Sequence, residues 1–217
     1  MDLRRQHDIL GPEILEAMPK VHLIGAGGIG SPTALALAKM GCPEIHLYDP
    51  DLIEEHNLPN QLFRLKDVGK AKVAALAKMC REFSDSRCVP HQCQITGKES
   101  LEGIVISGVD SMESRKAIWE AVKGNRKICL YVDGRMGGEV GRVIAVCPAS
   151  PTDVRFYEDT LFSDEEAEPL PCTARAIIYN VFALASLIAS RVKKHLKEEE
   201  ASRDIVVDLF NSQMLSV

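Results

Sequence analysis

Several residue types in this chain could do phosphate chemistry together. They are the glycines Gly25, Gly27, Gly28 and Gly30, the carboxylates Asp49 and Asp51, the polar set Asn57, Gln61, Arg64 and Lys72, and a later carboxylate, Asp110. The glycines follow an apolar run, Val21-His22-Leu23-Ile24, and precede a helical pattern. In such a turn Gly25 permits the tight bend, Gly27 lets the backbone approach a phosphate, and Gly30 lets the helix pack on the strand. The helix N-terminus then offers unpaired N–H groups and a positive dipole end to an anion. A second apolar run, Ile45-His46-Leu47-Tyr48, ends in Asp49-Pro50-Asp51, where a carboxylate can accept hydrogen bonds from ribose hydroxyls. The competing reading is a glycine turn that serves packing alone.

A dinucleotide oxidoreductase would next need a redox site. The residues after Asp51 instead put amides and cations on the side where phosphates would lie. A nucleoside triphosphate needs such compensation beyond what a glycine turn supplies. Composition alone allows an ordinary solvated loop here as well.

The elements that must position these residues alternate strand and helix. Strands are expected at 20–25, 44–48, 87–95, 103–107, 127–133, 139–147 and 204–209. Helices are expected at 31–40, 70–83, 111–123 and from 173 to about 197. Gly41-Cys42-Pro43 supplies the breakers that close the first helix, and residues 58–69 form a polar connection. Residues 148–171, rich in proline and acids, read as a long exposed loop. This order predicts one α/β domain over residues 1–217: a Rossmann-like, doubly wound, mostly parallel sheet with an antiparallel extension.

A length of 217 residues suits one sizeable domain, and the apolar fraction of 46% suits an ordinary core. A formal charge of −5 without a basic tract argues against a nucleic-acid partner. No basic stretch followed by an apolar one suggests a signal peptide. The longest apolar stretch, 176–192, contains Tyr179, Asn180, Ser186, Ser190 and Arg191, and reads as a buried helix rather than a membrane span. Seven cysteines at scattered spacings argue against a disulfide framework and for a reducing cytoplasm. None is paired as CxxC, so no zinc held by two such pairs is expected.

Taken in order, these elements resemble the ThiF/MoeB/HesA superfamily, which adenylates ubiquitin-like and sulfur-carrier proteins. The resemblance rests on Gly25-Ala26-Gly27-Gly28-Ile29-Gly30, Asp49 with Asp51, Asn57-Leu58-Pro59-Asn60-Gln61, and Lys72 before a helix. It extends to Asp110-Ser111-Met112-Glu113-Ser114-Arg115 and to Arg5-Gln6, covering roughly residues 5–195. The resemblance implies that the glycine turn binds ATP rather than NAD. It further implies that Asp49 and Asp51 hold the ribose, that Asn57, Gln61 and Lys72 line the phosphates, and that Asp110 holds Mg²⁺. Arg5 would reach the ATP of a partner protomer, so a homodimer is expected. The implied reaction is attack by the C-terminal carboxylate of a small carrier protein on the α-phosphate of Mg·ATP. It gives an acyl-adenylate and pyrophosphate.

Two features depart from the family pattern. Asn60 stands where the family commonly has arginine, and Arg64 is the candidate to supply the missing cation. The family's zinc-binding cysteine pairs are absent, as in some of its branches. The chain is most similar to small stand-alone bacterial members. Its length leaves no room for a cysteine, rhodanese or ubiquitin-fold domain, so later transfer is expected to use a downstream protein. Simpler roles compete: Asp110 as a helix cap, Arg115 as a structural residue, Arg5 as part of a disordered tail. At the level of function the alternatives are a non-catalytic nucleotide-binding scaffold, a NAD-binding oxidoreductase and a tRNA-modifying dehydratase relative.

Cys172, in Pro171-Cys172-Thr173-Ala174-Arg175, is the candidate nucleophile. A helix N-terminus and a nearby arginine both favour the thiolate. The resembled family places a transfer cysteine just before this helix, which implies acyl transfer to Cys172 after adenylation. The alternative is a cysteine packed as a small apolar residue.

Overall fold

A computed structural model describes residues 1–162 and 176–216. After a short N-terminal helix, α1 (Pro12–Glu16), the chain alternates β1 (Val21–Ile24), α2 (Gly30–Met40), β2 (Glu44–Tyr48), α3 (Lys72–Phe83) and β3 (Arg87–His91). It continues through β4 (Gly103–Ser107), α4 (Met112–Val122), β5 (Ile128–Gly137), β6 (Val140–Val146) and α5 (Pro151–Glu158). It ends with α6 (Ile178–Leu196), β7 (Asp204–Asp208) and β8 (Gln213–Ser216).

The strands form one sheet in the order β3-β2-β1-β4-β5-β6-β7-β8. Pairings from β3 to β5 are parallel, and those from β5 to β8 are antiparallel. The expected doubly wound sheet with an antiparallel extension is therefore the fold. Because both faces are covered, the central strands are buried on both sides and mostly apolar rather than alternating. Every residue of β1 is buried. On one face Leu23, Ile45, Ile106 and Val132 pack against Leu37 of α2, Leu76 of α3 and Leu184 and Ile188 of α6. On the other, Ile24, Tyr48, Val105 and Tyr131 pack against Trp119 of α4 and Tyr157 of α5. Strand order reverses between β1 and β4, and in open α/β sheets the crevice at that switch point is where ligands bind.

Four expectations need correction. Within the segment read as an exposed loop, residues 151–158 form α5. Ser150 caps it by accepting the Asp153 N–H, Pro151 stands at its first turn, and Tyr157 is fully buried. Residues 163–171 lie outside the described residues. The third strand stops at His91, after which the chain crosses the second face and buries Ile95 and Leu101. The strand expected at 127–133 runs on to Gly137 and turns through Gly138 directly into β6. Finally, β8 extends the sheet beyond the strand expected to be last. Among the described residues the long helix begins at Ile178; its expected start at Thr173 lies outside them.

Candidate nucleotide-binding site

The site forms where β1 ends. Gly25, at φ +91°, brings the backbone so close to the end of β4 that a Cβ would stand 2.8 Å from the Gly108 carbonyl oxygen. A Cβ on Gly30 would lie 1.8 Å from the Gly25 carbonyl, so only glycine lets α2 start this close to the turn. The N–H groups of Gly27, Gly28, Ile29 and Gly30 donate to no backbone carbonyl. With the helix dipole behind them they are arranged to receive an anion.

Asp49 ties β2 to this turn. Its Oδ2 accepts the Ala26 N–H at 2.7 Å and its Oδ1 the Asp51 N–H at 2.9 Å. Burial pushes its carboxyl above the usual carboxylate range, against the pull of those two N–H groups and of Lys72. Lys72, the first residue of α3, is buried, and its Nζ lies 2.7 Å from Asp51 Oδ2.

The segment after β2 passes over the glycines. Leu62 N–H donates to Ser31 Oγ on α2 at 3.1 Å. Gln61 Nε2 lies 3.7 Å from where a Cβ on Gly27 would be, and the Asn60 carbonyl oxygen 3.4 Å from the same point on Gly28. Asn60 Oδ1 and Gln61 Oε1 are buried without a hydrogen-bond partner. Asn57 is also buried, but its Oδ1 accepts the Glu54 N–H at 2.9 Å, so this amide holds the loop's own shape.

Asp110 follows β4 at the mouth of the same turn, and its side chain is exposed. It does not cap α4, because Ser111 performs that role by accepting the Ser114 N–H at 3.1 Å. Arg115 is buried and structural, with Nε 2.8 Å from Asp133 Oδ1.

Two expected residues are not brought into this group. Arg64 does not replace the arginine missing at Asn60: its guanidinium binds Asp67 Oδ2 at 2.7 Å and Glu82 Oε2 at 3.1 Å. The buried Asp67 carboxylate takes both Arg64 and Lys70 as partners, and Glu82 sits about 15 Å along α3 from Lys72. Arg5 is exposed in a short 3-10 turn whose Gln6 Nε2 donates to the Lys39 carbonyl at 2.9 Å. That anchor is at the far end of α2, roughly 16 Å from the glycine turn. Cys172 lies outside the described residues.

Four residues beside these elements escaped the sequence reading. Asp133 follows the apolar run 128–132, as Asp49 follows Ile45-His46-Leu47-Tyr48, and that likeness could have flagged it. It is fully buried and also accepts from Arg135 Nε at 2.7 Å and from the Tyr157 hydroxyl at 3.0 Å. Met136 Cε would stand 2.8 Å from a Cβ on Gly28, and Val181 Cγ2 3.6 Å from it. Asn180, beside Val181, is fully buried.

A glycine turn at the switch point of a parallel sheet, open N–H donors, an acid after the second strand and a buried lysine define a Rossmann-like α/β domain with a turn arranged to receive an anion. The profile of the ThiF family matches residues 7–214, and the chain belongs to that family. It is 41% identical over 105 residues to the NEDD8-activating enzyme E1 catalytic subunit of Dictyostelium discoideum, covering 46% of this chain and 24% of that protein. It is also 41% identical over 83 residues to the adenylyltransferase and sulfurtransferase uba4 of Emericella nidulans, covering 37% and 17%. These alignments span about a quarter or less of the curated relatives' length. Among solved structures, E. coli MccB with ATP superposes with a TM-score of 0.71 at 19% identity, over 94% of this chain and 65% of that one. The E. coli tRNA N6-threonylcarbamoyladenosine dehydratase, TcdA, gives 0.69 at 19%, over 90% and 94%. At these identities the two structures bear on the fold alone.

Proposed function

We infer that this chain adenylates the C-terminal carboxylate of a small ubiquitin-like or sulfur-carrier protein with Mg·ATP. The observation that carries this reading is the pairing of open N–H donors at Gly27 to Gly30 with the buried Lys72 ammonium beside Asp49 and Asp51. In this reading the turn N–H groups hold phosphate oxygens, Asp49 and Asp51 face the ribose, and Lys72 stabilises charge at the α-phosphate. A carboxylate oxygen of the carrier bonds to the α-phosphorus, and the bond to the bridging oxygen breaks to release pyrophosphate. The carboxylate is already ionised, so positioning and charge neutralisation suffice without a base.

The residues present fit Mg²⁺. Asp110 offers an exposed hard carboxylate beside the turn, and this ion is commonly held by one or two carboxylates together with substrate phosphates. When bound it would neutralise phosphate charge. Among the described residues no group of three or more His, Cys, Asp or Glu side chains is gathered for a metal, and a shared Mg²⁺ needs none.

The remaining parts of the reading are a homodimer in which Arg5 serves the partner's nucleotide, a cytoplasmic location, and acyl transfer to Cys172 or to a downstream protein. The relatives named for NEDD8 activation and sulfur transfer support a carrier-protein substrate. One observation favours a second reading, a nucleotide-binding scaffold without catalysis: Asn60 replaces a cation and Arg64 is turned away.

The test is to incubate the protein with Mg·ATP and a ubiquitin-fold carrier ending in a free glycine, then weigh the intact carrier. The adenylating reading expects a gain of one AMP that vanishes when the carrier's C-terminal carboxylate is amidated. The scaffold reading expects ATP binding with no gain.

A further inference from the structure

Asp110 stands in an irregular bridge, residues 108–111, between the end of β4 and the start of α4. The near end of the bridge packs on the glycine turn. A Cβ on Gly25 would stand 3.2 Å from the Val109 nitrogen, and one on Gly108 would stand 3.3 Å from the Gly30 nitrogen. Asp110 itself is exposed. A carboxylate on an exposed, irregular segment has conformational freedom that it must give up on taking a cation, unless the segment is already held.

Arg115 holds it from beneath. This residue is buried one turn into α4, and its guanidinium reaches back to the peptide units on either side of Asp110. Nη2 donates to the Val109 carbonyl at 2.8 Å and Nη1 to the Ser111 carbonyl at 3.3 Å. Nη2 also reaches the Gly134 carbonyl of β5 at 3.3 Å, and Gly134 borders the turn, since a Cβ on it would lie 3.0 Å from Ile29 Cγ2. Among the described residues no backbone N–H serves the Val109 carbonyl, so the guanidinium is what fixes it. Asp133 Oδ1 anchors the same group through Nε at 2.8 Å, and is tied in turn to Arg135 of β5 and Tyr157 of α5. A planar fork meets several acceptors in one geometry, which an ammonium does not.

We propose that Arg115 is a positioning residue for Mg²⁺: by gripping the Val109 and Ser111 carbonyls it sets the Asp110 carboxylate beside the phosphate-binding turn before metal and nucleotide arrive. This rests on the reading of Asp110 as the Mg²⁺ acid. The guanidinium acts through the backbone of Asp110 and touches neither ligand.

The test is a double-mutant cycle read by equilibrium binding. ATP is titrated calorimetrically into the protein in Mg²⁺ and in EDTA, and the ratio of the two affinities reports what the metal adds. Asp110→Ala should lower that ratio roughly tenfold. Arg115→Lys keeps a charge beside Asp133 but loses the fork, and should lower the ratio by a similar factor. Its ATP affinity in EDTA should not change. The double variant should lose nothing further, because both substitutions remove one function. Arg115→Gln serves as the second variant if lysine is not accommodated, since Arg135 still pairs Asp133. One measurement needs no variant: in the ligand-free protein the Asp110 amide should already be rigid, with an NMR order parameter of about 0.85.

An unchanged ratio in Arg115→Lys or Arg115→Gln would overturn the proposal. So would an equal loss of affinity in Mg²⁺ and EDTA, a further loss in the double variant, or an Asp110 order parameter below about 0.6 in the free protein. A ratio untouched by Asp110→Ala would remove the metal reading of Asp110 and this proposal with it, whereas adenylation of the carrier is read separately, from the carrier's mass.

Discussion

Lys72 and Asp51 form an ion pair at 2.7 Å in which the cation is buried and the anion is not: their side chains are 9% and 60% exposed. The lysine is therefore held ready at the mouth of the site by a carboxylate that water already solvates. A phosphate can take over that ammonium at little cost, since Asp51 returns to solvent. Asp51→Asn should lower stability by only about 1 kcal/mol, measured by urea denaturation. Lys72→Ala should leave ATP binding detectable and reduce turnover roughly a hundredfold.

Asp49 has a different task. An asparagine there keeps one acceptor oxygen but turns the other into a donor facing either Ala26 N–H or Asp51 N–H. Asp49→Asn should cost roughly 1–3 kcal/mol and should weaken ATP more than Asp51→Asn does. Calorimetric titration of both variants checks the order; equal losses would remove Asp49 from its role in shaping the turn.

The glycines separate packing from binding. In Gly30→Ala the new methyl meets backbone at 1.8 Å, which cannot yield, so a loss of about 3 kcal/mol or more is expected. In Gly28→Ala it meets Met136 Cε at 2.8 Å, the far end of a flexible side chain, so the loss should stay near about 1 kcal/mol. ATP affinity should still fall in Gly28→Ala, because the added methyl stands over the turn. Thermal melts with and without Mg·ATP distinguish the two.

The turn and its acid were legible in the sequence because both are local: a glycine spacing after an apolar strand, and a carboxylate at the end of the next. The rest depends on distant chain segments. Met136 and Val181 come against Gly28 only because β5 and α6 fold beside β1, and no spacing announces this. Arg64 is five residues from Pro59, yet the buried Asp67 and the end of α3 decide where it points. α5 carried a readable start in Ser150-Pro151 but was masked by its proline and acid content. β8 is exposed along its whole length and has no apolar alternation to reveal it.

Acid sensitivity should arise away from the nucleotide. His22 is 3% exposed, with Nδ1 3.1 Å from the Tyr48 hydroxyl. Burial, aided by the charge on His46, pushes its pKa down from 6.5 to about 4. Above pH 6.5 it is neutral in both folded and unfolded chains and costs nothing. As pH falls from there toward 4 the unfolded chain takes a proton that the folded chain refuses. Stability should fall across that window by about 3 kcal/mol and then level off for this group. His22→Phe should flatten the loss in urea titrations at pH 7, 5.5 and 4.5; an unchanged slope would assign the sensitivity elsewhere.

The central claim, adenylation of a carrier's C-terminus, is tested most directly by exchange of labelled pyrophosphate into ATP. Exchange should require Mg²⁺ and a carrier with a free C-terminal glycine, be lost in Asp110→Ala, and fall roughly a hundredfold in Lys72→Ala. Exchange that needs no carrier, or that persists unchanged in both variants, would contradict it.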